Sequence, residues 1–259
     1  EPKFVITYYE KPYQVKRPVY YSALINKAIN SLNLAWKLRV TNSEASLNEL
    51  QVETHFRSIE NFSTSIEETS DRSSLYFGRG LDYILIHDYA LAIEDFDKAI
   101  YEQPTLVLAY FARAVARSKQ IQFNPGALDS KVRLMELSTK MKFPLNQNKT
   151  GKSIPPEISQ KTLEYDIIIK DYDKTISLEP SFIYAYYNRA EILSIQKDYR
   201  GAISDYSKAI ELEPQFAEAY FNRGLARLAI GETSSGLDDL RKAGELGVVE
   251  SYSILKRMQ

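Results

Sequence analysis

Apolar residues in the second half of the chain recur at intervals of three and four, with polar residues between them, the signature of amphipathic helices. The blocks come in pairs, and the pairs repeat. YFGRG from Tyr76, YFARA from Tyr110, YYNRA from Tyr186 and YFNRG from Tyr220 are close copies of one pentapeptide. Tyr76 and Tyr110 stand 34 residues apart, as do Tyr186 and Tyr220, and Pro180 and Pro214 keep the same period. Between Tyr110 and Tyr186 the step is 76 residues, one period and 42 more, so one unit has been opened by an insertion.

Numbering each unit so that its first aromatic is position 4, and turning an α-helix by about 100° per residue, separates the two aromatics of each doublet. Tyr76, Tyr110, Tyr186 and Tyr220 fall on one side of the first helix with the small residues Gly80, Ala114, Ala190 and Gly224, and are expected in the core. Phe77, Phe111, Tyr187 and Phe221 fall on another side. Leu81, Val115, Tyr184, Asn188, Glu191, Asn222 and Leu225 share it. The bland alternative for such a stripe is packing between units. Each pentapeptide also holds an arginine: Arg79, Arg113, Arg189 and Arg223. Sixteen residues later stand Asp95, Asp205 and Asp239, with Asp171 beyond the insertion, so arginine and aspartate are expected to pair inside the array.

A period of 34 with two amphipathic helices resembles the tetratricopeptide repeat family. The matching residues are Tyr76, Gly80, Tyr83, Ala92, Phe96, Ala99 and Pro104 in the first unit. In the third they are Tyr186, Ala190, Ala202, Tyr206, Ala209 and Pro214, and in the last Tyr220, Gly224, Gly236 and Ala243, with Val248 where proline is expected. The resemblance implies an all-α solenoid forming a right-handed superhelix. It implies further that the first helices line the concave surface, so that the eleven residues of the second stripe, Phe77 through Leu225, form a peptide-binding groove. Asparagines at the position of Asn188 and Asn222 hydrogen-bond peptide backbone in family members. The family's clamp for acidic C-terminal tails needs lysine where this chain has Phe77, Phe111, Tyr187 and Phe221, so that function is disfavoured.

The expected organisation is an irregular segment over 1–45 with a possible strand at KFVITYY, then the helix of a degenerate unit over 46–72. Four units follow over 73–249, the second interrupted over 119–164, and a capping helix over 250–259. LAWKLRV reads equally as helix or strand. SKVRLMELSTKMKF inside the insertion reads as an amphipathic helix.

Composition narrows the chemistry. Of 259 residues, 33 are lysine or arginine and 34 are acidic, so no overall field draws the chain to nucleic acid or anionic lipid. There are no cysteines and two histidines, His55 and His87, which removes thiolate chemistry and leaves no metal cluster. No cofactor or catalytic residue is expected. TGKS at 150–153 lacks the preceding glycine that a phosphate loop needs, since Asn146 stands there. No apolar run approaches the roughly 18 residues of a membrane span. The chain begins at Glu1, which fits a processed or partial form. A likeness of the ending KAGELGVVESYSILKRM to bacterial repeat proteins inclines toward a bacterial protein of the periplasm or cell envelope, and otherwise toward the cytoplasm.

Two functions follow. The first is a non-catalytic scaffold holding a peptide or protein segment in the concave groove. The second is a structural subunit of a multiprotein assembly, docking through the N-terminal segment and the 119–164 insertion.

Overall fold

A computed structural model describes residues 49–70, 72–123 and 156–258. The strand and helix expectations for KFVITYY, LAWKLRV and SKVRLMELSTKMKF, and the TGKS tetrapeptide, lie outside the described residues. Among the described residues the chain forms ten helices and no strand. They are α1 (Glu49–Glu68), α2 (Ser73–Leu85), α3 (Tyr89–Glu102), α4 (Val107–Phe123), α5 (Pro156–Leu178), α6 (Ile183–Ile195), α7 (Tyr199–Leu212), α8 (Ala217–Ala229), α9 (Thr233–Glu245) and α10 (Glu250–Arg257). Each helix packs on the next, and α2 also touches α4, as α6 touches α8. The result is an all-α solenoid of stacked hairpins, α2/α3, α4/α5, α6/α7 and α8/α9, with α1 before and α10 after. Helix continues into both ends of the expected 119–164 interruption, because α4 runs to Phe123 and α5 begins at Pro156.

Local chemistry sets the turns. Asp88 and Asp198 cap α3 and α7, their carboxylates accepting from the amides of Leu91 (3.1 Å) and Gly201 (3.0 Å). The residue ending each preceding turn is left-handed: His87 at φ 64°, Lys197 at φ 65° and Gly231 at φ 84°. Three units thus use the same backbone turn with three different side chains.

The core is a chain of small clusters, one per hairpin. In the first, Phe77, Ala92, Phe96 and Ala99 are buried together; in the third, Tyr187, Ala190, Tyr206 and Ala209. Alanine and glycine bring the helices close. A Cβ on Gly78 would lie 2.6 Å from the Phe62 ring, which is how α1 seats on α2. A Cβ on Gly224 would lie 2.9 Å from the carbonyl oxygen of Gly236, so backbone meets backbone in the last hairpin.

The arginines tie the array together. In every unit the guanidinium grips the aspartate of its own second helix through two bonds. Arg79 donates to Asp95 at 2.7 and 2.8 Å, Arg113 to Asp171 at 3.0 and 2.5 Å, Arg189 to Asp205 at 2.7 and 2.7 Å, and Arg223 to Asp239 at 2.8 and 2.7 Å. The remaining nitrogen reaches back to the second helix of the preceding unit, to Ser63, Asp97, Asp173 and Ser207 in turn. Arg117 and Arg227 add bonds to Asp171 (2.7 Å) and Asp239 (2.8 Å). Burial pulls the Arg113 pKa down, but its bonds and charge contacts with Asp171 and Asp97 outweigh this and hold it above the usual arginine value. At Arg117 burial wins, helped by the charge of Arg113, and the value is lowered.

Removing one partner of a buried pair leaves an uncompensated charge, at a cost of about 3–5 kcal/mol. Asp171 is 6% exposed and serves two arginines, whereas Asp173 is 51% exposed and serves one. Urea unfolding of Asp171→Asn should show a loss of about 3–5 kcal/mol, and Asp173→Asn less than about 1 kcal/mol. Gly224→Ala, which forces backbone apart, should lose about 1–3 kcal/mol by the same measurement.

Candidate functional site on the first-helix face

The eleven residues expected to line a groove do not form an exposed stripe. Phe77, Phe111, Tyr187 and Phe221 are core residues, 1–7% exposed, and Leu81, Val115, Asn188 and Asn222 are buried as well. Tyr184, Glu191 and Leu225 are half-buried. The expectation for the doublet is corrected by how the rings pack. Three of the second aromatics meet an aromatic of their own second helix: Phe77 meets Phe96 at 5.8 Å between centroids, Phe111 meets Tyr172 at 5.9 Å, and Tyr187 meets Tyr206 at 5.6 Å. A phenylalanine preceding the next unit closes the other side, Phe182 on Phe111 at 4.8 Å and Phe216 on Tyr187 at 4.7 Å.

The first aromatics, expected to be the core residues, are so at Tyr110 and Tyr186 and only partly at the two ends of the array. Tyr76 and Tyr220 are half-buried, and Tyr110 and Tyr186 are just covered. Each lies under its unit's guanidinium at 5.4–5.8 Å. The hydroxyls of Tyr110 and Tyr186 donate to the carbonyls of Pro104 (3.1 Å) and Pro180 (3.2 Å). The unit-closing prolines therefore serve as acceptors for the next unit's tyrosine.

Accessibility along the first-helix face is uneven. Leu81 and Val115 are buried, while Glu191 and Leu225 at the same register are half-buried. Leu85 and Lys119 are buried, whereas Ile195 is 55% exposed. The reachable part of this face thus belongs to α6 and α8.

There apolar Ile195 and Leu225 stand beside polar side chains. Asn222 donates from Nδ2 to the Tyr187 hydroxyl at 2.8 Å, bridging the two first helices. Burial raises the Tyr206 hydroxyl well above its ordinary pKa, the charge of Glu191 adds to this, and hydrogen bonds with Ser194 and Asn222 oppose it. Tyr206 is therefore a neutral donor and acceptor inside the seam. One turn before Asn222, Glu218 is 5% exposed, and one of its carboxylate oxygens, Oε2, has no partner. Asn188, also 5% exposed, has an unpartnered Oδ1. Tyr184, one turn before Asn188, packs edge-on to Phe216 at 6.0 Å, and Phe216 stands two residues before Glu218. The α6/α8 face thus carries Tyr184 and Phe216 in edge contact, with buried acceptors at Asn188 on α6 and Glu218 on α8.

Sequence reasoning missed Glu218, Ser194 and Phe216. The period contained a signal for two of them: Glu218 lies 34 residues after Tyr184, and Phe216 lies 34 after Phe182. Ser194 sits three residues after Glu191 on the same helix. Among the described residues no cluster of acidic, histidine or cysteine side chains is arranged for a metal ion, and no helix is long and apolar enough to cross a membrane.

Helical hairpins of constant period, stapled by one arginine each and presenting their first helices along one face, define a repeat scaffold. The fold is that of a tetratricopeptide-repeat solenoid. The TPR repeat family matches residues 191–231. Among solved structures, a crystal structure of MamA superposes with a TM-score of 0.54 at 18% identity, covering 75% of this chain and 89% of that one. A second MamA structure gives 0.55 at 17% identity, covering 85% and 92%. MamA from Desulfovibrio magneticus gives 0.53 at 13% identity, covering 90% and 97%. These likenesses establish the fold. No match was found among curated protein sequences.

Burial lifts the Glu218 carboxyl from 4.5 to about 7, a weaker backbone hydrogen bond opposing. The folded value lies above the unfolded one, so the folded chain holds this proton more tightly. The cost of ionising is absent below pH 4.5 and fully present above pH 7. Glu218→Gln should therefore raise stability at pH 8 by on the order of 2 kcal/mol and leave it unchanged at pH 4.5, as read from urea midpoints.

Proposed function

We propose that the protein is a non-catalytic scaffold that holds a segment of a partner protein on the first-helix face of its last two units. The observation that carries this reading is the pair of buried acceptors without partners, Asn188 Oδ1 and Glu218 Oε2, beside the half-exposed Tyr184. A buried polar atom costs about 1–3 kcal/mol when left unpaired, and a donor from a partner segment that reached these two would remove that cost. Asn188, one residue from the core ring of Tyr187, is held in place by the packing that buries that ring. This gives a peptide backbone a fixed acceptor, with affinity that depends little on sequence.

The groove is shorter than the full array. In the first two units the equivalent positions Leu81 and Val115 are buried, so the residues assigned to binding are Tyr184, Asn188, Glu191, Glu218 and Leu225. Tyr187 and Asn222 support them from within.

Affinity capture of partners by the full chain, compared with Tyr184→Ala and Asn188→Ala, tests this reading. Both variants should lose partner recovery by about tenfold with unchanged helical circular dichroism, the size expected when one anchoring contact is removed. Equal recovery by wild type and both variants would overturn it. Tyr187→Ala is unsuited to the comparison, because removing a 1% exposed ring should cost about 3 kcal/mol of stability.

A further inference from the structure

We infer that the α6/α8 site accepts a lysine or arginine side chain of the partner segment, held over the Tyr184 and Phe216 rings and hydrogen-bonded to Glu218 and Asn188. The inference deepens the reading just given and rests on it.

Both unpartnered atoms are acceptors. Asn188 Oδ1 and Glu218 Oε2 call for N–H groups, and a carboxylate calls for a cation. The adjoining rings suit the same ligand, since an aromatic face attracts an ammonium or guanidinium group, more strongly where water is excluded. Tyr184 and Phe216 lie 6.0 Å apart and edge-on, so one ring can present its face beside the other's edge next to Glu218.

The chain's own arginines on α6 and α8 bind other carboxylates: Arg189 is bound to Asp205 and Asp173, Arg223 to Asp239 and Ser207, and Arg227 to Asp239 through Nη1, its Nε being unpartnered. None of these bonds involves Glu218. The charge balance of the site is therefore acidic, complementary to a basic side chain and repulsive to an acidic tail. A buried acid that lowers stability when ionised is also what a site retained for a cation would contain, because the ligand supplies the missing counter-charge.

The test uses the full chain and four fluorescein-labelled, N-acetylated and C-amidated undecapeptides of glycine, serine and leucine. They differ only at the central residue: lysine, arginine, norleucine or glutamate. Anisotropy titrations at pH 8, up to about 1 mM protein, should give the lysine and arginine peptides about tenfold tighter binding than norleucine, with glutamate weakest, a difference typical of one charge-assisted contact. Glu218→Gln, which keeps the fold, should abolish the preference of lysine and arginine over norleucine. Three outcomes overturn the inference: equal affinity for all four, a preference that survives in Glu218→Gln, or no binding by any peptide. If norleucine binds as well as lysine and both are weakened by Tyr184→Ala, the groove reading stands and only the basic ligand is lost.

Discussion

Every arginine of the repeated pentapeptide does two jobs with one planar group. Two of its nitrogens hold the aspartate of its own hairpin, and the third reaches the hairpin before. The first contact fixes the angle within a unit; the second fixes the angle between units. Arginine alone offers this fork of donors with a permanent charge, and lysine could satisfy only one direction at a time. The tyrosine beneath each guanidinium then follows. Its ring is covered by the cation, and at Tyr110 and Tyr186 the hydroxyl is held by the preceding proline carbonyl.

With the seam placed by these bonds, the doublet's second ring has only one place to go. It enters the hairpin, between the aromatic of the second helix and the phenylalanine that opens the next unit, as Tyr187 sits between Tyr206 and Phe216. The first-helix face of the last two units keeps Tyr184, Glu191 and Leu225 half-buried, and Asn222 crosses from one unit to the next to meet Tyr187. The candidate site is a by-product of close packing that nature has furnished with a carboxylate.

Much of the fold could be read from the chain, because a period of 34 and an arginine-to-aspartate spacing of sixteen are properties of the linear sequence. The pairing of Arg113 with Asp171 across the break was legible for the same reason: Asp171 keeps its place relative to the second helix whatever is inserted before it. The direction of the doublet was not. Helical rotation separates Tyr186 from Tyr187 but does not say which of the two sides faces the partner helix, and the deciding contact, Phe216 on Tyr187, comes from a residue outside the pentapeptide. Glu218 was illegible in a stricter sense. An exposed and a buried glutamate in the first turn of a helix look identical until the neighbouring unit is in place.

The backward reach of the arginines is not uniform. The acceptors are Ser63, Asp97, Asp173 and Ser207, so the two inner junctions are joined through ionised groups and the outer two through neutral hydroxyls. In a one-dimensional stack whose cohesion is a sum of nearest-neighbour terms, weaker links at the ends make the terminal hairpins the first to part. The junction between α7 and α8, from Arg223 to Ser207, is one of these hydroxyl links.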